Sequence, residues 1–463
     1  MKRLHFCLLL MLNSCVVGRD YQPPEMPIPQ KWSEEIAAEK ISIEWWKQFN
    51  DATLNDLIIE ATTANLNLKQ ALSRVKEARI LRRETIATGL PSLSGKNVAS
   101  RRFNNSSQGG GSPIAGQAIN IFQLGFDAAW EIDFFGGIQR AVEAADASID
   151  SEIENSHDVL LTLQAEVARE YILLRTNQQL VETHKELLAS QAETLKLLKI
   201  REQSGLSNAL EVIQAQAQFE NITANLPTYE TEMKHAIHAL SVLLGREPNA
   251  LEKRFSNTKP ISMPTLAITN LPSELLQRRP DIRQAERQMA MANAQVGIAT
   301  AELYPKVNLA AFIGLQNLKI TDFTPMGKSW SSASTITMPL FNWGKLQANI
   351  EAKDAQFEQA FLAYQATVLT AFKEVEDALV AYRNEAQRYE ALSKAIRSNQ
   401  TTLDLAKERY TKGLTGFLDV LQAQESLYQT QILKIQSLSI MTQQGIALHK
   451  ALGGDFATHP DNS

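Results

Sequence analysis

The sequence predicts a mostly helical chain with membrane β-strands, built as two tandem repeats that each supply one very long coiled-coil helix and one β-hairpin. Three observations carry this. The stretch REQSGLSNALEVIQAQ from Arg201 returns as RYTKGLTGFLDVLQAQ from Arg409, identical at eight of sixteen positions at an offset of 208 (409 − 201). Chance would give about one or two matches, so the chain holds an internal repeat. Each copy contains a run without a helix breaker, 67 residues between Gly137 and Gly205 and 68 between Gly344 and Gly413. Just before each run the apolar period falls from seven to two, the period of a strand.

The N-terminus comes first in chain order. Lys2 and Arg3 precede the apolar run Phe6 to Leu12, too short to span a bilayer and shaped like a secretory signal, read here as residues 1–14. Leu12-Asn13-Ser14-Cys15 follows and resembles a bacterial lipobox, which makes Cys15 the expected lipidation site. Removing the signal also removes Cys7 and leaves no partner for an internal disulfide. It takes the formal charge from −5 to −7, since Lys2 and Arg3 leave with it. That balance, with no basic run, Gly-rich phosphate loop or metal-spaced Cys/His cluster, argues against nucleic acid as the main partner and implies no cofactor. His235 and His238 lie one helical turn apart without a third ligand and read as helix-surface residues.

Residues 15–53 form an anchored extended segment, and 54–245 the first repeat. In it we expect a helix from about Leu54 to Thr88, a hairpin at about 92–132, a long helix at 138–204, a tip at Gly205 and a returning helix with Pro227 as a kink or break. Residues 246–272 carry Pro248, Pro260 and Pro264 and read as an irregular connector. The second repeat, 273–453, offers a helix from Ser273 to Leu303, a hairpin at about 306–340, a long helix at 345–412, a tip at Gly413 and a second return. Residues 454–463 are a tail.

The long runs keep an apolar residue at every seventh place: Ile153, Leu160, Val167, Leu174, Val181, Leu188 and Leu195, then Phe361, Val368, Val375, Tyr382, Tyr389, Ile396 and Leu403. Such a repeat means helices that wind around neighbours. In the hairpin segments Phe122, Leu124, Phe126, Trp130 and Ile132 share one face and Gln123, Asp127 and Glu131 the other. Val307, Leu309, Ala311, Ile313 and Leu315 alternate likewise, as do Trp330, Ile336, Met338 and Leu340; Ser92 to Phe103 is a weaker strand. No run is apolar and long enough for a helical span, so a membrane crossing must use strands. Four strands cannot close a barrel, and open edges are not tolerated in lipid. Three chains would give twelve strands, with room for a passage.

The residues also resemble a known family. Cys15 followed by Val17-Gly18-Arg19-Asp20-Tyr21, Trp45-Trp46, Trp130 to Gly136, Arg279-Pro280-Asp281-Ile282-Arg283, Phe341-Asn342-Trp343-Gly344 and Arg409-Tyr410 with Gly413 are similar to the TolC-type outer-membrane efflux channels, lipoprotein branch, that serve resistance-nodulation-division pumps. The likeness covers essentially the whole mature chain. Arg19 stands where the family usually has proline, a departure expected to matter little for the fold. The resemblance implies a homotrimer closing a twelve-stranded outer-membrane β-barrel, a periplasmic helical tunnel, a periplasmic adaptor and an inner-membrane pump, with passive conduction of drugs or other small molecules. The alternatives are the outer-membrane channel of a type I protein exporter and a non-conducting coiled-coil lipoprotein. The alternating hairpins argue against the latter, and no nucleophile, base and orienter suggest an enzyme.

By the same resemblance the two tips close the pore. Glu211 and Asp419 occupy equivalent places, so a trimer brings six carboxylates to one constriction, with Gln214 and Gln422 beside them; acid rings prefer cations. Both acids also stand near helix N-termini, where the helix dipole favours them. Tyr410 is expected to reach Glu211 and hold the closed state, each such hydrogen bond contributing roughly 1.5 to 3 kcal/mol. By the resemblance, Gln422 stands where a second acid is often found and Thr415 where at least one relative carries a lock-forming arginine, which predicts a weaker acidic constriction and a simpler lock. Gly205, Leu206, Gly413 and Leu414 are the expected adaptor contacts.

Overall fold

The computed structural model describes residues 16–29, 31–33, 44–103, 118–257, 276, 278–322 and 327–454. The signal 1–14, Cys15, the first hairpin's tip, most of the connector and nearly all of the tail lie outside the described residues. A short 3-10 helix, Trp45–Phe49, opens the described core. The elements that follow are α1 (Ala52–Ala64), α2 (Leu66–Thr88), β1 (Ser92–Phe103), β2 (Ala118–Ile132), α3 (Gly137–Gln203) and α4 (Ala209–Leu243). A 3-10 turn, Glu252–Phe255, precedes α5 (Pro280–Ala301), β3 (Lys306–Asn317), β4 (Lys328–Thr337), α6 (Lys345–Thr411) and α7 (Phe417–Ala451).

Four expectations need correction. The single helix expected from Leu54 to Thr88 is two, because Asn65 leaves helical geometry (ψ 132°) and turns its amide both ways. Its Oδ1 accepts from Leu68 N at 3.0 Å and its Nδ2 donates to Leu243 O at 2.8 Å. Of the two readings expected for Pro227, the break is excluded, because α4 runs through it. The carbonyl that loses its partner there is that of Thr223, on an exposed turn open to solvent. The second copy's short helix, expected from Ser273, is interrupted: residues 276 and 278 are helical, Arg279 is not, and α5 starts at Pro280, a residue suited to the first helical position, while residues 273–275 lie outside the described residues. Finally, β4 ends at Thr337, so Met338 and Leu340 fall beyond the strand.

The chain divides into two compact units. One gathers residues 1–25, 74–152 and 285–364 and holds the sheet. Its strands form an antiparallel meander in chain order, and β2 pairs with β3 to join the two repeats. Even the unpromising β1 is paired along its whole length, Ser92 with Ala129 through to Phe103 with Ala118. One face exposes Leu93, Leu124, Phe126, Ile313, Trp330 and Ile336. The other carries Ser94, Gln123, Gln316 and Ser331, and a 2.8 Å ion pair between Lys96 and Asp127. An apolar face opposite a polar one is the pattern of a strand set between lipid and an aqueous lumen. Within the polar face Gly125 pairs with Gly314, and a Cβ on either would lie 2.3–2.4 Å from a carbonyl of the other strand, so only glycine fits. The Phe312 ring covers the pair.

The same unit fastens the N-terminal strap. Val17 N donates to Phe135 O at 3.1 Å, and buried Arg140 donates to Val17 O, Gly18 O and the Asp20 carboxylate. Arg19 is not inert: it donates to Asn293 Oδ1 at 2.8 Å, pairs with Asp354 at 3.0 Å and lies over the Phe357 ring at 4.1 Å. Asp133 starts α3 by accepting from the backbone of Ile138 and Gln139, the capping that a helix N-terminus requires.

The second unit gathers residues 26–73, 153–284 and 365–463. Trp45, Trp46, Phe49, Leu54, Leu57 and Ile58 pack there with Tyr171, Leu174, Leu240 and Leu244, and the Trp45 ring stacks on His449 at 5.2 Å. Arg279 crosses the end of α7, donating to Ala451 O at 3.0 Å and pairing with Asp281 and Glu374, under Gly453 at φ +84°. Every one of the fourteen seventh-place residues of α3 and α6 is buried or half-buried, as their period demands.

Candidate gate at the helical hairpin tips

Both tips lie in the second unit and share one backbone design. After α3, Leu206 N donates to Arg201 O and Gly205 N to Glu202 O, each at 2.8 Å, with Gly205 at φ +70°. After α6, Leu414 N donates to Arg409 O at 2.9 Å and Gly413 N to Tyr410 O at 3.0 Å, again with φ +70°. This is the paired-bond helix stop that a left-handed glycine permits. Its leucine ordinarily packs back on the helix. Here Leu206 is 70% and Leu414 65% exposed, so both tips present an apolar side chain outward.

Beyond the turns the copies diverge. Asn208 caps α4, accepting from Glu211 N at 3.0 Å, whereas Gly416 at the start of α7 offers no side chain to cap with. The hairpins meet through Leu195, Leu198, Val212 and Ala215 from the first and Leu403, Phe417, Val420 and Ala423 from the second. At the edge of this cluster the Tyr410 hydroxyl donates to Glu211 Oε2 at 3.3 Å, and the Ser207 hydroxyl donates to the same oxygen. Phe417 meets the Tyr410 ring edge-on at 5.7 Å, and the Arg201 guanidinium lies over it at 5.2 Å. Burial pushes the Tyr410 phenol above its ordinary pKa, and the Glu211 charge adds to this against the opposing Arg201. The phenol is therefore a donor throughout the physiological range.

Of the residues expected from sequence, Tyr410 and Glu211 are brought together. Asp419 and Gln422 are exposed and Gln214 half-buried, all on the first two turns of the returning helices. Gly205, Leu206, Gly413 and Leu414 form the tips, and Cys15 lies outside the described residues. The Thr415 hydroxyl is buried without a hydrogen-bond partner among the described residues. Sequence reasoning missed Arg201, Ser207 and Phe417. Arg201 was visible only as an arginine common to both copies, which gave it no reason to differ from Arg409.

Comparison with known proteins gives this geometry its setting. The family model for "Outer membrane efflux protein" matches residues 57–246 and 271–454, one match per repeat. Nodulation protein T of Rhizobium leguminosarum bv. viciae is 31% identical over 455 residues, covering 97% of this chain and 92% of that protein. The cation efflux system protein CusC of Escherichia coli O6:H1 is 30% identical over 471 residues, covering 98% and 99%. The toluene efflux pump outer membrane protein TtgI of Pseudomonas putida is 31% identical over 471 residues, covering 98% of each. Among solved structures, the outer-membrane channel OprN superposes with a TM-score of 0.89 at 29% identity, over 95% of this chain and 99% of that one. CusC superposes at 0.84 with 28% identity, over 95% and 100%. The repeat, the two-faced sheet and the paired tips are thus those of a channel subunit: the chain belongs to the outer membrane efflux protein family.

Proposed function

We propose that the chain works as a homotrimer, the gated outer-membrane channel of a tripartite efflux system, with a periplasmic adaptor and an inner-membrane pump as partners. The sheet carries this reading. Its apolar face needs lipid, and β1 and β4 each have one edge unpaired among the described residues, which lipid does not tolerate. Neighbouring chains that satisfy those edges close a barrel, and twelve strands leave a passage. Lipidation at Cys15 would hold the strap at the membrane, consistent with Val17 being bonded beside the base of β2.

At the hairpin tips, Tyr410 bound to Glu211 holds the two hairpins together in the closed state, and Asp419 and Glu211 give the constriction a preference for cations. The outward Leu206 and Leu414 are where an adaptor docks and competes with closure. Relatives of nearly equal identity are named for cation efflux, for toluene efflux and for nodulation, so similarity assigns no cargo, and selection falls to the pump. Heat-modifiable trimers in outer-membrane fractions, with channel activity after reconstitution, are the expected result. A monomer without conductance would overturn the reading in favour of a structural rod.

A further inference from the structure

The gate contact has a member whose placement connects the outer tip to the phenol. Arg201 lies over the face of the Tyr410 ring at 5.2 Å, and its Nε is buried with no hydrogen-bond partner among the described residues. Among the described residues its guanidinium makes one hydrogen bond, Nη2 to Leu206 O, stretched to 3.5 Å. The aromatic face, electron-rich and half-buried, is thus its principal seat. Its backbone is equally committed: the Arg201 carbonyl accepts the 2.8 Å bond from Leu206 N that closes the turn. Leu206 is therefore tied to Arg201 through both main chain and side chain, and Arg201 rests on the ring that the opposite hairpin contributes. The repeat makes this one-sided. Arg409 matches Arg201, but Glu202 stands where Tyr410 would have to be, so the second tip has no such ring to hold.

We propose that Arg201 is a positioning residue of the gate, which braces Tyr410 against Glu211 and passes a displacement of Leu206 to the phenol. This rests on the reading of Tyr410 and Glu211 as the closed-state contact. A partner pressing on Leu206 shifts the turn, withdraws the guanidinium and frees the ring, without touching the hydrogen bond itself.

Planar-bilayer recordings of the partner-free trimer test this through ring chemistry. Arg201→Met should raise closed-state conductance by about two- to fivefold per protomer, on the order of ten- to a hundredfold if three sites act together. The rise should be much smaller in a Tyr410→Phe background, which keeps the ring but has no hydroxyl to hold against Glu211. It should vanish in Tyr410→Leu, which removes the ring. Arg201→Lys, which keeps the charge but not the planar group, should fall between parent and Arg201→Met. It carries the same comparison should Arg201→Met fail to form heat-modifiable trimers. An equal effect of Arg201→Met in Tyr410→Leu would show that Arg201 acts elsewhere and overturn the proposal. So would no effect in the parent while Tyr410→Phe opens the pore, which leaves the gate reading standing. If Tyr410→Phe and Tyr410→Leu both leave closure unchanged, the gate reading itself fails and takes this inference with it.

Discussion

Replacing Tyr410 by phenylalanine deletes one oxygen and leaves the ring on its Arg201 and Phe417 contacts. The bond lost is 3.3 Å long, beyond the usual range for a hydroxyl donor, so its contribution belongs at or below the low end for a charged acceptor, about 1 kcal/mol. Glu211 is not orphaned by the change, because Ser207 still donates to Oε2, and no buried-charge penalty enlarges the figure. Three symmetric copies, if additive, total about 3 kcal/mol, a shift in the closed-to-open ratio on the order of a hundredfold. Single-channel recording at low voltage reads this directly as a rise in open probability. Glu211→Gln, which retains an acceptor oxygen but no charge, should give a smaller rise. A closed state of Tyr410→Phe indistinguishable from the parent would refute the argument that this bond holds the hairpins together.

Three further outcomes follow from the same geometry. Asp419→Asn removes an exposed carboxylate beside the constriction and should lower cation preference, read as a shift of reversal potential in a salt gradient toward the non-selective value. Two glycines with similar φ, +70° at Gly413 and +84° at Gly453, should respond differently to alanine. At Gly413 nothing lies within 4 Å of the added Cβ and only about 1 kcal/mol of backbone strain is expected. At Gly453 the Cβ would meet Arg279 at 2.9 Å, so the melting temperature should fall markedly more. Burial lowers the His449 pKa to about 4, and neither ring nitrogen has a partner among the described residues. Between pH 6.5 and about 4 the unfolded chain takes up a proton that the folded chain refuses, so stability falls as pH drops, by up to about 3 kcal/mol per chain. His449→Phe, which keeps a ring against Trp45, should flatten that dependence in denaturation curves taken across this window.

Sequence periodicity and chain punctuation determined the architecture by themselves. Seven-residue spacing can be satisfied only by wound helices, two-residue spacing only by a two-faced strand, and a glycine at 205 or 413 only by a stop. These are local rules, and the repeat stated them twice, which is why the long helices, the tips and three of the four strands were legible. What stayed illegible was set by neighbours distant in sequence. β1 forms because β2 lies alongside it, not because Asn97 or Arg101 favours a strand. Pro227 stays inside α4 because its turn faces out, and Asn65 divides a helix because Leu243 O is there to accept its amide.

At the gate the same boundary holds. Sequence offered Tyr410 and Glu211 as partners only through likeness to a family. The packing of two hairpins decided that a serine would share the acid, that a phenylalanine would hold the ring edge, and that an arginine 209 residues away in the chain (410 − 201) would lie over its face. The physical reason is that the period of a helix fixes which side a residue faces, whereas a contact between helices also needs their register. Register is chosen by the fit of Leu195, Val212, Leu403 and Phe417 as a set, and tertiary packing alone brings that set together.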